Sequence, residues 1–159
     1  MALNFQDALN TKAEDIDRPP LMPIGTYRWM VTKHPTLDTI ADGRFDVVDF
    51  MMKSLSALDD VDADDLAEFT SKAGELTNQA RRLRFLFNKE DEGAFNKTMY
   101  YLKTFIGEHL KVDTAGMAMK EMLAATPNMT CSAAIKWRPD RDNPEIQYDE
   151  IGKTAPDLG

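Results

Sequence analysis

Sulfhydryl and imidazole groups are scarce: 159 residues contain one cysteine, Cys131, and two histidines, His34 and His109. A lone cysteine excludes an internal disulfide and fits a reducing interior, the cytoplasm, or the host cytoplasm if the chain is viral. Two histidines and one cysteine cannot make a usual zinc site. No apolar run approaches the roughly 18 residues of a membrane span, so no membrane partner is expected. The opening MALNFQDALNTKAEDID lacks a basic start and is broken by Gln6, Asp7 and Asn10, which argues against a secretory signal. Glycine-rich phosphate loops and a Gly-x-Ser-x-Gly elbow are missing too. These absences favour a binding protein over an enzyme, with no cofactor and no metal required.

Positive charge is also in short supply. Lys and Arg number 19 against 27 Asp and Glu, a net charge of −8, which at face value disfavours a nucleic-acid partner. The distribution weakens that objection. Residues 59–70, DDVDADDLAEFT, hold six acids and no base, so most of the excess lies in one segment. The bases concentrate in strand-like runs instead: Arg28 and Lys33 in the first, Arg81, Arg82 and Arg84 in the third, Lys136 and Arg138 in the fourth.

The stretch from 80 to 113 organises the rest. Leu83, Phe85 and Phe87 alternate with Arg82, Arg84 and Leu86 at period two, which predicts a strand. From Phe95 the period changes. Phe95, Met99, Leu102, Ile106 and Leu110 recur at three- and four-residue steps, one face of a helix about four turns long. Glu90, Asp91 and Glu92 at its start and Lys111 at its end complement the macrodipole.

Around it, residues 1–20 read as an arm: Phe5 and Leu9 allow one amphipathic turn, and Pro19, Pro20 and Pro23 forbid a helix across the junction. The domain proper is expected over 21–155, with a tail at 156–159. Gly25 opens a first strand, GTYRWMVTK, and Pro35 and Ala41-Asp42-Gly43 end that unit. A long second strand follows from 44 to about 58. Its hydrophobic parity switches near Asp49, which predicts a bent, bulged strand, the rival reading being burial on both faces. A short helix over 62–72, capped by Asp62 and ended by Gly74, is an insertion before the third strand. A second short helix is expected over 115–125. The fourth strand, TCSAAIKWR, and the fifth, EIQYDEI, flank a PDRDNP turn.

The order strand, strand, strand, helix, strand, strand is the connectivity of a five-stranded OB-fold, a Greek-key barrel whose ligands include single-stranded nucleic acid. The helix falls between the third and fourth strands and the helical insertion between the second and third. An open α+β sheet is the alternative. Fold alone does not give function, so the site must come from side chains.

Single-stranded nucleic acid requires aromatic faces for bases and cations that follow the phosphates. Trp29 and Trp137 are the candidate platforms, although their neighbours of the same parity are apolar and core packing competes for both. Arg28, Lys33, Arg82, Arg84, Lys136 and Arg138 are the candidate phosphate contacts. Phe85 and Phe87 are assigned to the core, and His109 to a packed or boundary position. Asp60, Asp62 and Asp64 imitate a calcium loop, but Asp65 stands where glycine is required and Ser71 where the bidentate Glu belongs. Asp140, Glu150 and Lys153 suggest a nuclease metal site, but the Glu-to-Lys spacing does not keep both on one strand face.

A resemblance adds to this reading. Pro20-Leu-Met-Pro23-Ile-Gly25-Thr-Tyr27, the aromatic third strand, Lys136-Trp137-Arg138-Pro139-Asp140 and Glu150-Ile-Gly-Lys153 together look like bacteriophage single-stranded DNA-binding proteins, over about residues 18 to 155. The resemblance implies an OB-fold protein of phage DNA replication and recombination, with single-stranded DNA and replication or recombination proteins as partners. It is compatible with a homo-oligomer. One departure is the tail, where Asp157 is the only charge and no acidic run exists to recruit partners. The 59–70 segment could take that role or fill the groove when DNA is absent. The expectation is a protein that coats single-stranded DNA without strong sequence preference. The competing expectation is an acidic interaction or assembly protein, a nucleic-acid mimic that binds no DNA; a metal-dependent nuclease is a third.

Overall fold

The computed structural model describes residues 4–158. Its centre is one antiparallel sheet of six strands: β1 (Gly25–Val31), β2 (Thr36–Ile40), β3 (Phe45–Ala57), β4 (Ala80–Asn88), β5 (Thr130–Pro139) and β6 (Gln147–Pro156). Four α-helices accompany it among the described residues: α1 (Phe5–Leu9), α2 (Ala63–Ala73), α3 (Glu92–Thr104) and α4 (Met119–Ala124). The helix between the aromatic strand and Thr130 and the helical insertion after the long strand lie where the sequence places them.

β3 is the hub. One of its edges carries β2 along the first half, from Ile40 opposite Phe45 to Thr36 opposite Asp49, and β1 along the second, from Val31 opposite Met52 to Tyr27 opposite Ala57. Its other edge carries β4, from Asn88 opposite Phe45 to Ala80 opposite Lys53. β5 pairs with β1 and β6 with β5. β4 and β6 form no ladder, so the expected closed barrel is not formed. The sheet curls until the two come side by side, and an Arg81–Asp149 ion pair at 2.7 Å bridges the seam.

Three further expectations change. β2 was not anticipated because four of its five residues are exposed, and a polar edge strand has no alternating signature. Its hairpin turn uses left-handed Ala41, Asp42 and Gly43. The bulge in β3 lies at Leu55 rather than near Asp49: Arg28 and Trp29 are consecutive, but face Ser56 and Ser54. Val48, Phe50, Met52 and Ser54 hold one buried parity through the middle of β3, and Val47 is buried on the opposite face. Finally, β6 runs to Pro156, five residues beyond the end of the expected fifth strand EIQYDEI. A second bulge allows this, since Ala133 and Ile135 face Thr154 and Ile151.

The core fills the concave side. Tyr27, Trp29 and Val31 from β1 meet Phe50 and Met52 from β3 and Cys131, Ala133 and Ile135 from β5. α3 closes it. Asp91 caps this helix by accepting from the Ala94 N–H, and a π-helical turn over Phe105–His109 follows. The wider turn puts both Phe105 and Ile106 inward before Leu110, which sharpens the stripe expected from the sequence. Gly25 is required by its surroundings. Its φ is 144°, and a Cβ there would stand 2.5 Å from a Val61 methyl carbon.

Candidate nucleic-acid interface

The open seam between β4 and β6 is a cleft of about 600 Å³ lined by Arg81, Arg82, Leu83, Arg84, Met51, Arg138, Asp149, Glu150 and Ile151. Strand alternation explains the gathering. Leu83 and Phe85 point to the core, so Arg82 and Arg84 take the outer face of β4. On β5, Ile135 points inward and Lys136 and Arg138 outward. β6 adds Tyr148 opposite Arg138 and Glu150 opposite Lys136.

Most of these charges are paired. Asp149 receives two bonds from Arg81, at 2.7 and 2.9 Å, and one from the Met22 N–H at 2.8 Å. Asp49 holds Arg84 bidentately at 2.8 and 3.0 Å, which pushes its guanidinium above the usual range. Glu150 serves two cations, Arg138 at 3.1 Å and Lys136 at 3.5 Å. Arg82 is exposed and forms no ion pair among the described residues. Five cations thus gather beside Asp49, Asp149 and Glu150, and Asp38 and Asp140 also act on Arg84 and Arg138, so the cations are concentrated but largely compensated in the free protein.

Its aromatic residue is Tyr148, 40% exposed. Arg138 and Arg18 lie over its ring at 5.7 and 5.1 Å. Nearby, the Asp140 carboxylate is held below its usual range, first by the Asn143 N–H and then by the Tyr148 hydroxyl. A second cleft of about 450 Å³, lined in part by Arg18 and Tyr148, shares Arg81 and Asp149 with the first. The two flank the ion pair as one trough.

The sequence candidates divide accordingly. Arg82, Arg84 and Arg138 line the cleft, and Lys136 joins them through Glu150. Arg28 does not: it is bound bidentately to Asp157, which also accepts from the Thr130 hydroxyl. Lys33 lies past the end of β1, away from the cleft lining. Trp29 is corrected outright as a stacking platform. It is fully buried, with its Nε1 donating to the Ala133 carbonyl at 3.1 Å, because Tyr27 and Val31 share its parity and draw it into the core. Trp137 is 42% exposed, but alternation turns it to the opposite face of β5 from Lys136 and Arg138, where it lines a separate groove. Tyr148 was missed. The sequence signal was its shared parity with Glu150 in EIQYDEI, opposite a basic fourth strand.

Other groups have structural duties. Asp60 accepts from the Thr26 N–H and hydroxyl at 2.9 and 2.7 Å, which holds its carboxylate below the ordinary range, and Asp62 caps α2. His109 is half-buried and shares a 2.7 Å hydrogen bond with Thr154; burial lowers its pKa. The Cys131 thiol is pushed up to about 12, chiefly by burial and then by Asp157, so it remains protonated. Asp140 is engaged in its turn and Glu150 in ion pairs. Among the described residues, no three His, Cys, Asp or Glu side chains are grouped to hold a metal, and no helix is long and apolar enough to cross a membrane. No protein-family model and no curated protein matches the chain.

Proposed function

We propose that this protein binds single-stranded DNA with little sequence preference, as a coating protein of phage-type replication or recombination, through the trough between β4 and β6. The observation that carries the reading is the convergence of Arg82, Arg84, Arg138 and Lys136 with the exposed Tyr148 on one face. The connectivity supports it. With β2 set aside as an added edge strand, the order β4-β3-β1-β5-β6 is OB-like with its last seam unzipped. The trough then falls on the second and third barrel strands and the last hairpin, which bind oligonucleotides in OB-folds.

In this mechanism the guanidinium groups neutralise phosphates, and a base stacks on Tyr148 in place of Arg18. Neither step requires a cofactor. Phosphates exchange with the carboxylates that hold Arg84, Arg138 and Lys136 in the free protein, so the cations are already positioned. A fluorescence-anisotropy titration with labelled oligothymidine and with a duplex tests the reading. Binding of the single strand in preference to the duplex, lost in Arg82→Glu and retained in Trp137→Ala, is expected; equal affinity for both forms, or indifference to Arg82→Glu, would refute it.

A further inference from the structure

The opposite face of β5 carries a second feature, which adjoins the trough through Pro20 and Leu21. Trp137 stands there over a groove of about 410 Å³ between the proline-rich 20–24 segment and α2. Its floor is apolar: Phe69 is buried beneath, Ile24 is 57% exposed, and Pro20 and Pro23 stiffen one wall. The Trp137 Nε1 donates to the Met22 carbonyl at 2.7 Å, so the polar edge of the indole is satisfied internally and its hydrocarbon surface remains open. The other wall is one helical face, with Asp65, Glu68, Phe69 and Lys72 at the spacing of successive turns. Lys72 is held by Glu68 at 3.0 Å, while the Asp65 carboxylate has no partner among the described residues.

From this combination we infer that the groove docks a basic segment of a partner protein, anchored by an aliphatic or aromatic side chain and flanked by Lys or Arg. Charge decides among occupants. A nucleic acid would meet the Asp65 carboxylate, unpaired among the described residues, with its phosphates and find the cation of the lining, Lys72, already held by Glu68. A second copy of this chain could offer the exposed Phe5, Leu9 and Ile16 of its arm, but those residues travel with Asp7, Glu14, Asp15 and Asp17 against Lys12 and Arg18. That segment is acidic and mismatched. A cationic segment satisfies the rim, and an apolar anchor covers the indole and Ile24. Trp is enriched among the residues that dominate binding energy at interfaces.

The test is a selection of random displayed peptides on the full chain, followed by titration of the enriched synthetic peptides while Trp137 emission is recorded. Peptides with Lys or Arg around Leu, Phe or Trp are expected to emerge and to perturb the emission. They should lose roughly tenfold or more in affinity against Asp65→Lys and against Trp137→Ala. Both positions are solvent-exposed, and circular dichroism checks that each variant is folded. Acidic or uncharged winners, or affinity indifferent to both variants, would each overturn the inference. Peptide binding without any oligonucleotide binding would leave this inference standing and remove only the nucleic-acid reading.

Discussion

Tyr148 stands on the solvent side of β6, 40% exposed, with Arg18 and Arg138 over its ring, so a base stacks there by displacing a guanidinium. Truncation to Ala should weaken oligothymidine binding by about 1 to 3 kcal/mol, the usual worth of one stacked base, with the unfolding midpoint little changed. Trp29 behaves in the opposite way. Trp29→Ala should cost roughly 3 to 5 kcal/mol of stability in a urea titration, because it empties the middle of the core. Parity makes part of this contrast readable from residues alone: Trp29 lies between apolar Tyr27 and Val31, and Arg82 and Arg84 alternate with Leu83 and Phe85. Trp137 shows the limit. It shares parity with Cys131, Ala133 and Ile135, yet β5 outruns the core there, and no local pattern says where a core ends.

Between elements, the seam depends on carboxylates that compete with phosphate. Glu150 is partly exposed, so Glu150→Gln should change stability by less than about 1 kcal/mol. It releases Lys136 and Arg138 together, and tighter oligothymidine binding by anisotropy is expected; weaker binding would show that the pairs hold the cations in the productive position. Asp149 is more sheltered and also bonds the Met22 backbone. Asp149→Asn should therefore cost about 2 kcal/mol by urea denaturation, since a charge-assisted bridge between β4 and β6 is lost. The π-helical turn after α3 makes a pH prediction. Burial lowers the His109 pKa below its ordinary 6.5, so the unfolded chain binds the proton more readily. His109 thus contributes stability that is complete above about pH 6.5 and is lost as pH falls through the lower folded value. Thermal midpoints between pH 5 and 7 should rise with pH, and His109→Gln, which can keep the Thr154 contact, should flatten that slope.

Over the whole molecule, the net charge of −8 opposes a polyanion while five seam cations attract it. The balance predicts a shallow salt dependence. At about −0.7 per phosphate for a single strand, five cations limit the slope of log affinity against log salt to roughly −3.5. A steeper slope measured by titration would mean that cations beyond the seam, Arg18 of the adjoining cleft included, take part. On its own, the chain's pattern of alternation, capping and turn residues determined the order of strands and helices apart from β2, the Asp62 cap, and the outward arginines of β4, because each depends on neighbours a few residues away. The tertiary structure decided that the barrel stays open between β4 and β6, that β2 extends the sheet, and that Trp137 and the arginines face apart. Those outcomes depend on bulges at Leu55 and near Gly152 and on ion pairs such as Arg81–Asp149, between residues distant in the chain. Their energies exist only once the strands have met.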